Sequence, residues 1–142
     1  MTHPQLEAFI PSEIPGKPWG IELLVAHTPL YSGKVLTRRA DGRRGGLQYH
    51  TEKDEAFYLY SGTCRVYGVT PANVPYVLDM RPGMAFHVPP GAIHSVEALT
   101  DCVFFEVSTP HFNDRVRVEH EYDLSALQAS HAAPQGNGPD RS

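Results

Sequence analysis

Four side chains in this sequence stand at spacings that would let one divalent cation gather them: Gln48, His50, Glu55 and His94. Imidazole suits zinc, iron and nickel, while carboxylate and amide oxygens suit manganese and its neighbours. Zinc is the first choice for a single bound ion, with manganese, iron, cobalt or nickel as alternatives. Residues two apart on a strand face the same side, so Gln48 and His50 share a face. Glu55 lies an odd number of positions further on. It joins them only if Thr51-Glu52-Lys53-Asp54 bends the chain and resets the alternation. Gly62 then allows a tight reversal into the next strand. Pro89-Pro90-Gly91 makes another sharp bend and aims His94 back at the same point. Three neutral ligands and one carboxylate leave the ion net positive, able to polarise a substrate oxygen. The remaining histidines are His3, His27, His87, His111, His120 and His131, and none has a partner at ligand spacing. His87 reads as a surface or structural residue.

The pocket around such an ion would suit an oxygen-rich ligand. Tyr49, Phe57, Tyr58, Tyr60, Tyr67 and Phe86 offer apolar walls and hydroxyl groups, and Tyr49, Phe57 and Tyr67 are taken as substrate contacts. Arg38, Arg39, Arg43 and Arg44 form the densest positive cluster, just before the metal strand. Arginine pairs phosphate or carboxylate bidentately, so Arg38 is expected to meet an anionic substrate group.

Short strands must position these residues. Segments 21–27, 34–40, 47–50, 56–61, 64–69, 74–78, 84–88, 94–99 and 103–108 read as strands between Gly and Pro breaks. Strands so short and so regularly punctuated predict an all-β sandwich or jelly roll, not a parallel sheet with crossover helices. A short helix is expected near Leu124, Leu127 and Gln128, capped by Asp123. Residues 132–142 are rich in Pro, Gly and polar residues and read as a loose tail. Leu6, Phe9 and Ile10 need cover, which predicts an N-terminal arm packing on a neighbouring subunit.

The composition narrows the partners. A chain of 142 residues is one domain with room for a sizeable core. Its 12 Lys and Arg against 16 Asp and Glu give no reason to expect nucleic acid or an anionic membrane. No apolar run approaches the ~20 residues of a membrane span. The N-terminus lacks the basic start and apolar stretch of a secretion signal, so a cytoplasmic location is expected. Cys64 and Cys102 sit in apolar strand patterns and read as buried thiols.

Two longer patterns carry a family resemblance. Gly42, Gln48-Tyr49-His50, Glu55 and Gly62 resemble the first cupin motif, and Gly83, Pro89-Pro90-Gly91 and His94 resemble the second. Gln48 stands where a first histidine is usual. Gln-x-His resembles the mannose-6-phosphate isomerase group, specifically the isomerase domain of the bifunctional isomerase/guanylyltransferases. Lys17-Pro18-Trp19-Gly20 resembles their entry segment, and Phe105-Glu106-Val107-Ser108 through Tyr122 resembles their closing strand and tail. The resemblance implies a single jelly-roll β-barrel over residues 17–122, with an arm at 1–16 and a helix and tail at 123–142. It implies a bound divalent metal, a homodimer and a sugar or sugar-phosphate substrate, and it adds Arg117 as a substrate contact.

An isomerase of this kind moves a proton between adjacent carbons through an enediol, with developing charge stabilised by the metal. Its base needs a pKa near working pH. Lys53, next to the ligands in sequence, and Glu106, on an inward-facing strand, are the candidates. A dioxygenase using a redox metal and a non-catalytic sugar-binding module are the alternatives.

Overall fold

A computed structural model describes residues 2–130. The tail expected at 132–142 lies outside the described residues. Among the described residues, eleven strands run in chain order: β1 (Ser12–Ile14), β2 (Gly20–His27), β3 (Ser32–Arg38), β4 (Gln48–His50), β5 (Glu55–Ser61), β6 (Cys64–Val69), β7 (Pro75–Met80), β8 (Ala85–Val88), β9 (His94–Ala98), β10 (Cys102–Ser108) and β11 (Arg115–Arg117). One helix, α1 (Ser125–Ser130), follows. The Asp123 carboxylate accepts the Ser125 amide at 2.9 Å, as expected of its cap.

The strands form two antiparallel sheets, in the orders β1-β2-β3-β10-β5-β8 and β11-β4-β9-β6-β7. This is the expected all-β jelly-roll architecture. Two strands are additional. β11 pairs with β4, and β1 pairs with β2 at the edge of the six-stranded sheet. The distal end of the expected arm is therefore part of the sheet, while Leu6 and Ile10 stay exposed.

The interior is divided along each strand. Inward side chains of β3, β5 and β10 are apolar at one end (Leu36, Leu59, Phe104) and ionisable at the other (Lys34, Glu55, Glu106), and all six are buried. The apolar end joins Cys64, Val66, Met80, Ala98 and Cys102 in the main core. Both thiols are free and buried, as expected. The polar end is the candidate site. A second cluster lies on the outer face of the five-stranded sheet, where Val118 and Leu124 cover Leu47 and Tyr67. Among the described residues, no helix is long and apolar enough to cross a membrane.

The turn between β5 and β6 depends on a residue without a side chain. Gly62 has φ +85°, and a Cβ there would run into the Asp101 carbonyl and the Cys102 side chain. Gly62→Ala is expected to destabilise the fold by about 1–3 kcal/mol or more, measured by denaturant unfolding. An unchanged midpoint would contradict this packing.

Candidate metal centre

Three of the four expected ligands meet at one point. The ligating atoms of His50, Glu55 and His94 all lie within 4.8 Å of one another, and all three residues are buried. Each strand supplies them by a simple rule. β4 carries Gln48 and His50 on its inward face, and Gln48 pairs with His94 of β9 across the sheet. The 51–54 bend resets the alternation, and β5 opens with Glu55 pointing inward. The bend itself is held by Asp114, whose carboxylate accepts the amides of Glu52 (2.8 Å) and Lys53 (2.7 Å).

The histidine rings are oriented from behind. His50 Nδ1 lies 3.0 Å from Asp114 Oδ1, and His94 Nδ1 lies 3.0 Å from the Ala92 carbonyl. Both acceptors favour the tautomer with the proton on Nδ1. Each Nε2 then presents a lone pair, and each sits 3.6 Å from Glu55 Oε1. Burial pulls the His94 pKa down, against the opposing pull of the Ala92 carbonyl and Glu55, which keeps the ring neutral and able to ligate. Burial pushes the Asp114 carboxyl up, but the two amides and the His50 ring outweigh it and bring it down to about 2. The donor set, the fixed tautomers and the spacing all fit a divalent cation. Gln48 lines the same cavity.

A row of alternating charges runs inward from this group. Lys53 Nζ lies 2.9 Å from Glu55 and 3.4 Å from Glu106. Lys34 Nζ lies 3.9 Å from Glu106 and 2.6 Å from Glu22, and Lys17 lies 3.5 Å from Glu22. Burial alone would lower the Lys53 pKa, yet Glu106 and Glu55 outweigh it, so its pKa is raised and it remains an ammonium. The Glu106 pKa is raised: burial dominates, Glu55 and Glu22 add to it, and Lys53 and Lys34 oppose it. Glu106 Oε2 is buried and has no hydrogen-bond partner of good geometry.

The cavity holding these groups has a volume of about 770 Å³. Eight Lys and Arg but only four Asp and Glu line it, the reverse of the balance over the whole chain. Arg38 lines it and lies over the Trp19 ring at 5.2 Å. Arg117 and Phe57 line it as well. Among the described residues, neither Arg38 nor Arg117 forms an ion pair, whereas Arg44 is held by Glu119.

Two expected substrate contacts are corrected. Tyr49 and Tyr67 do not line the cavity; both pack in the cluster outside the five-stranded sheet. The reason is strand alternation. Tyr49 stands between inward-facing Gln48 and His50, and Tyr67 follows Val66 of the main core. The Tyr67 hydroxyl donates to Glu97 at 2.7 Å instead. His87 is exposed and contacts Asp54 at 2.6 Å, consistent with a surface role. Sequence reasoning missed Asp114, Lys34 and Glu22, and also Phe112, a cavity-lining ring with Lys34 Nζ 4.4 Å from its centroid. Asp114 lies 64 positions from His50, so no local spacing could signal it.

The chain matches the cupin family model over residues 31–128 and belongs to that family. Among curated proteins, none is similar enough in sequence to count as a relative. Several solved structures share the fold. KdgF from Halomonas sp. is 23% identical with a TM-score of 0.61, covering 72% of this chain and 89% of that one. CapF from Staphylococcus aureus, a capsular polysaccharide assembling protein, is 18% identical with a TM-score of 0.68, covering 79% of this chain and 32% of that one. Oxalate decarboxylase from Bacillus subtilis is 18% identical with a TM-score of 0.61, covering 84% of this chain and 34% of that one. The chain thus spans about a third of the latter two.

Asp114→Asn tests the ring-orienting contact. It is expected to weaken divalent-metal binding by about 10–100-fold, read by titration calorimetry. The same substitution should also flatten the acid limb of stability. A carboxylate depressed to about 2 contributes stability above its unfolded pKa, lost as pH falls toward the folded value. Wild-type unfolding midpoints should therefore drop more steeply than the variant's below about pH 4.

Proposed function

We propose that the chain is a metal-dependent isomerase of an anionic sugar or sugar phosphate, interconverting aldose and ketose through an enediol. The observation that carries this reading is Glu106: a buried carboxylate of raised pKa whose Oε2 faces the Lys53 and Lys34 ammoniums at 3.4 and 3.9 Å, in the cavity of the His50–Glu55–His94 group. Burial raises the basicity of this carboxylate, which favours it as the group that removes a carbon-bound proton. The excess of positive side chains in the cavity supports an anionic substrate, and the unpaired Arg38 and Arg117 are the residues to hold its phosphate or carboxylate.

His50, Glu55 and His94, with Gln48 as a fourth donor, would hold the ion. Once bound, it supplies positive charge for the oxygens of the substrate's carbonyl and adjacent hydroxyl. Mn(II) centres are known on this fold in Bacillus subtilis oxalate decarboxylase, which supports a metal but not its identity. Glu106 takes the proton from the carbon bearing the hydroxyl. The C–H electron pair becomes the carbon–carbon double bond, and the carbonyl π pair moves onto oxygen. Glu106 returns the proton to the neighbouring carbon while the oxygens exchange one between them. Lys53 is the weaker of the two candidate bases, because two carboxylates hold it as an ammonium. Its role in this reading is to position Glu106. Phe57, stacked on Phe86 with centroids 4.9 Å apart, forms an apolar wall.

Aldoses, ketoses and their phosphates are incubated with metal-loaded protein in deuterated water. Deuterium entering the carbon next to the carbonyl supports isomerisation; no exchange with any divalent ion ends the reading. Glu106→Gln is expected to lower turnover by about 10²–10⁴-fold with metal content unchanged. Arg38→Ala should raise KM for the anionic substrate by about 10–100-fold, with a much smaller effect on an uncharged analogue.

A further inference from the structure

Two corners of the chain close the apolar end of the sandwich. Residues 62–63 carry it from β5 in the six-stranded sheet to β6 in the five-stranded one, and residues 99–101 carry it back from β9 to β10. The corners are tied to each other. The Thr63 amide donates to Thr100 Oγ1 at 2.9 Å, and the Thr63 carbonyl accepts the Leu99 amide at 2.9 Å. The first residue of the strand after each corner is a cysteine: Cys64 opens β6 and Cys102 opens β10. Facing sheets lie about 10 Å apart, whereas a disulfide needs Cα atoms about 4.4–6.8 Å apart. Cysteines on opposite sheets therefore meet only where a corner draws the sheets together, as the Thr63–Thr100 clasp does. The Cys102 thiol lies 3.2 Å from the Thr63 carbonyl, the group that immediately precedes Cys64. The two thiols hydrogen-bond to each other within one buried cluster, at 1% and 2% exposure.

We propose that Cys64 and Cys102 form a modification site, a dithiol that a small hydroperoxide converts to a disulfide joining the two sheets at their corners. The sulfurs have different roles. Cys64 keeps its proton, its pKa pushed up by the hydrogen bond to Cys102 and by burial. That same hydrogen bond, helped by the Arg38 guanidinium, outweighs burial at Cys102 and draws its pKa down. Arg38 lines the cavity and acts on both sulfurs, so the pair sits behind the cavity wall, near an opening that admits an oxidant little larger than water. The Cys102 thiolate attacks one peroxide oxygen. The O–O bond breaks, and the other oxygen leaves with the electron pair and takes up the Cys102 proton. Cys102 is then a sulfenic acid, which a neighbouring thiol resolves. Cys64 sulfur attacks it, the S–S bond forms and the S–O bond breaks, and the departing hydroxide leaves as water with the Cys64 proton. Each sulfur is oxidised by one electron, and the peroxide takes both. A dithiol reductant reverses the change by exchange.

The full chain is treated with hydrogen peroxide while circular dichroism confirms that it stays folded. The intact mass is expected to fall by two hydrogens, and both thiols should be lost to titration. A non-reducing digest should yield one peptide pair joining Cys64 to Cys102, and dithiothreitol should undo all three changes. The oxidised chain should unfold at a midpoint roughly 5–10 °C higher, because the bond closes a long loop in the unfolded chain. Cys64→Ala should leave a sulfenic acid on Cys102 that dimedone captures, and Cys102→Ala should leave Cys64 unlabelled. Either substitution opens a core cavity, so the wild-type digest decides the site without them. Two thiols that remain titratable in the treated, folded chain overturn the proposal. So does a disulfide found only between separate chains, or an oxidised chain that melts below the reduced one. Dimedone on Cys64 in the folded Cys102→Ala variant overturns the assigned roles.

Discussion

The Glu55 carboxylate organises the interior. One of its oxygens lies equally far from two histidine nitrogens, and the other accepts from an ammonium. Everything around it keeps that convergence intact. Asp114 and the Ala92 carbonyl turn the two rings so that their Nε2 atoms face inward. The same Asp114 ties down the bend that lets Glu55 point inward at all. One residue therefore couples the backbone path to the ligand orientation. Burying a carboxylate without such partners would cost several kcal/mol.

The sheet architecture makes a polar interior affordable. A sandwich has a continuous gap between its sheets, and here one half is filled by apolar side chains while the other stays open and charged. The division falls along single strands, so the rigid core fixes the strands whose far ends carry the site. Along β10, Phe104 packs in the core and Glu106, two residues on, faces the cavity. The charges in that half alternate in sign from Glu55 through Lys53, Glu106, Lys34 and Glu22 to Lys17. This order offsets much of the desolvation of each.

The cavity and the chain have opposite charge balances, and this shapes the functional reading. A mildly acidic protein concentrates arginine and lysine around one opening. Among the described residues, Arg38 and Arg117 line that cavity without an ion pair to the protein's own carboxylates. Arg44 shows the contrast: in the same run of arginines as Arg38, it is bound to Glu119 and Ser95 and holds the loop before β4.

Local sequence determined much of this. Glycine and proline breaks marked nine strands because turns need special backbone angles that few residues adopt, and the spacing of Gln48, His50, Glu55 and His94 pointed to one site. Strand alternation also contained the correction of Tyr49: a residue between two inward ligands must face outward. Tertiary structure alone decided the rest. The partnership of Asp114 with His50, the pairing of Lys53 with Glu106 and the row through Lys34 to Glu22 join residues distant in sequence. Such contacts depend on which strands become neighbours and at what register. That is set by the packing of whole sheets, and no short pattern in the chain encodes it.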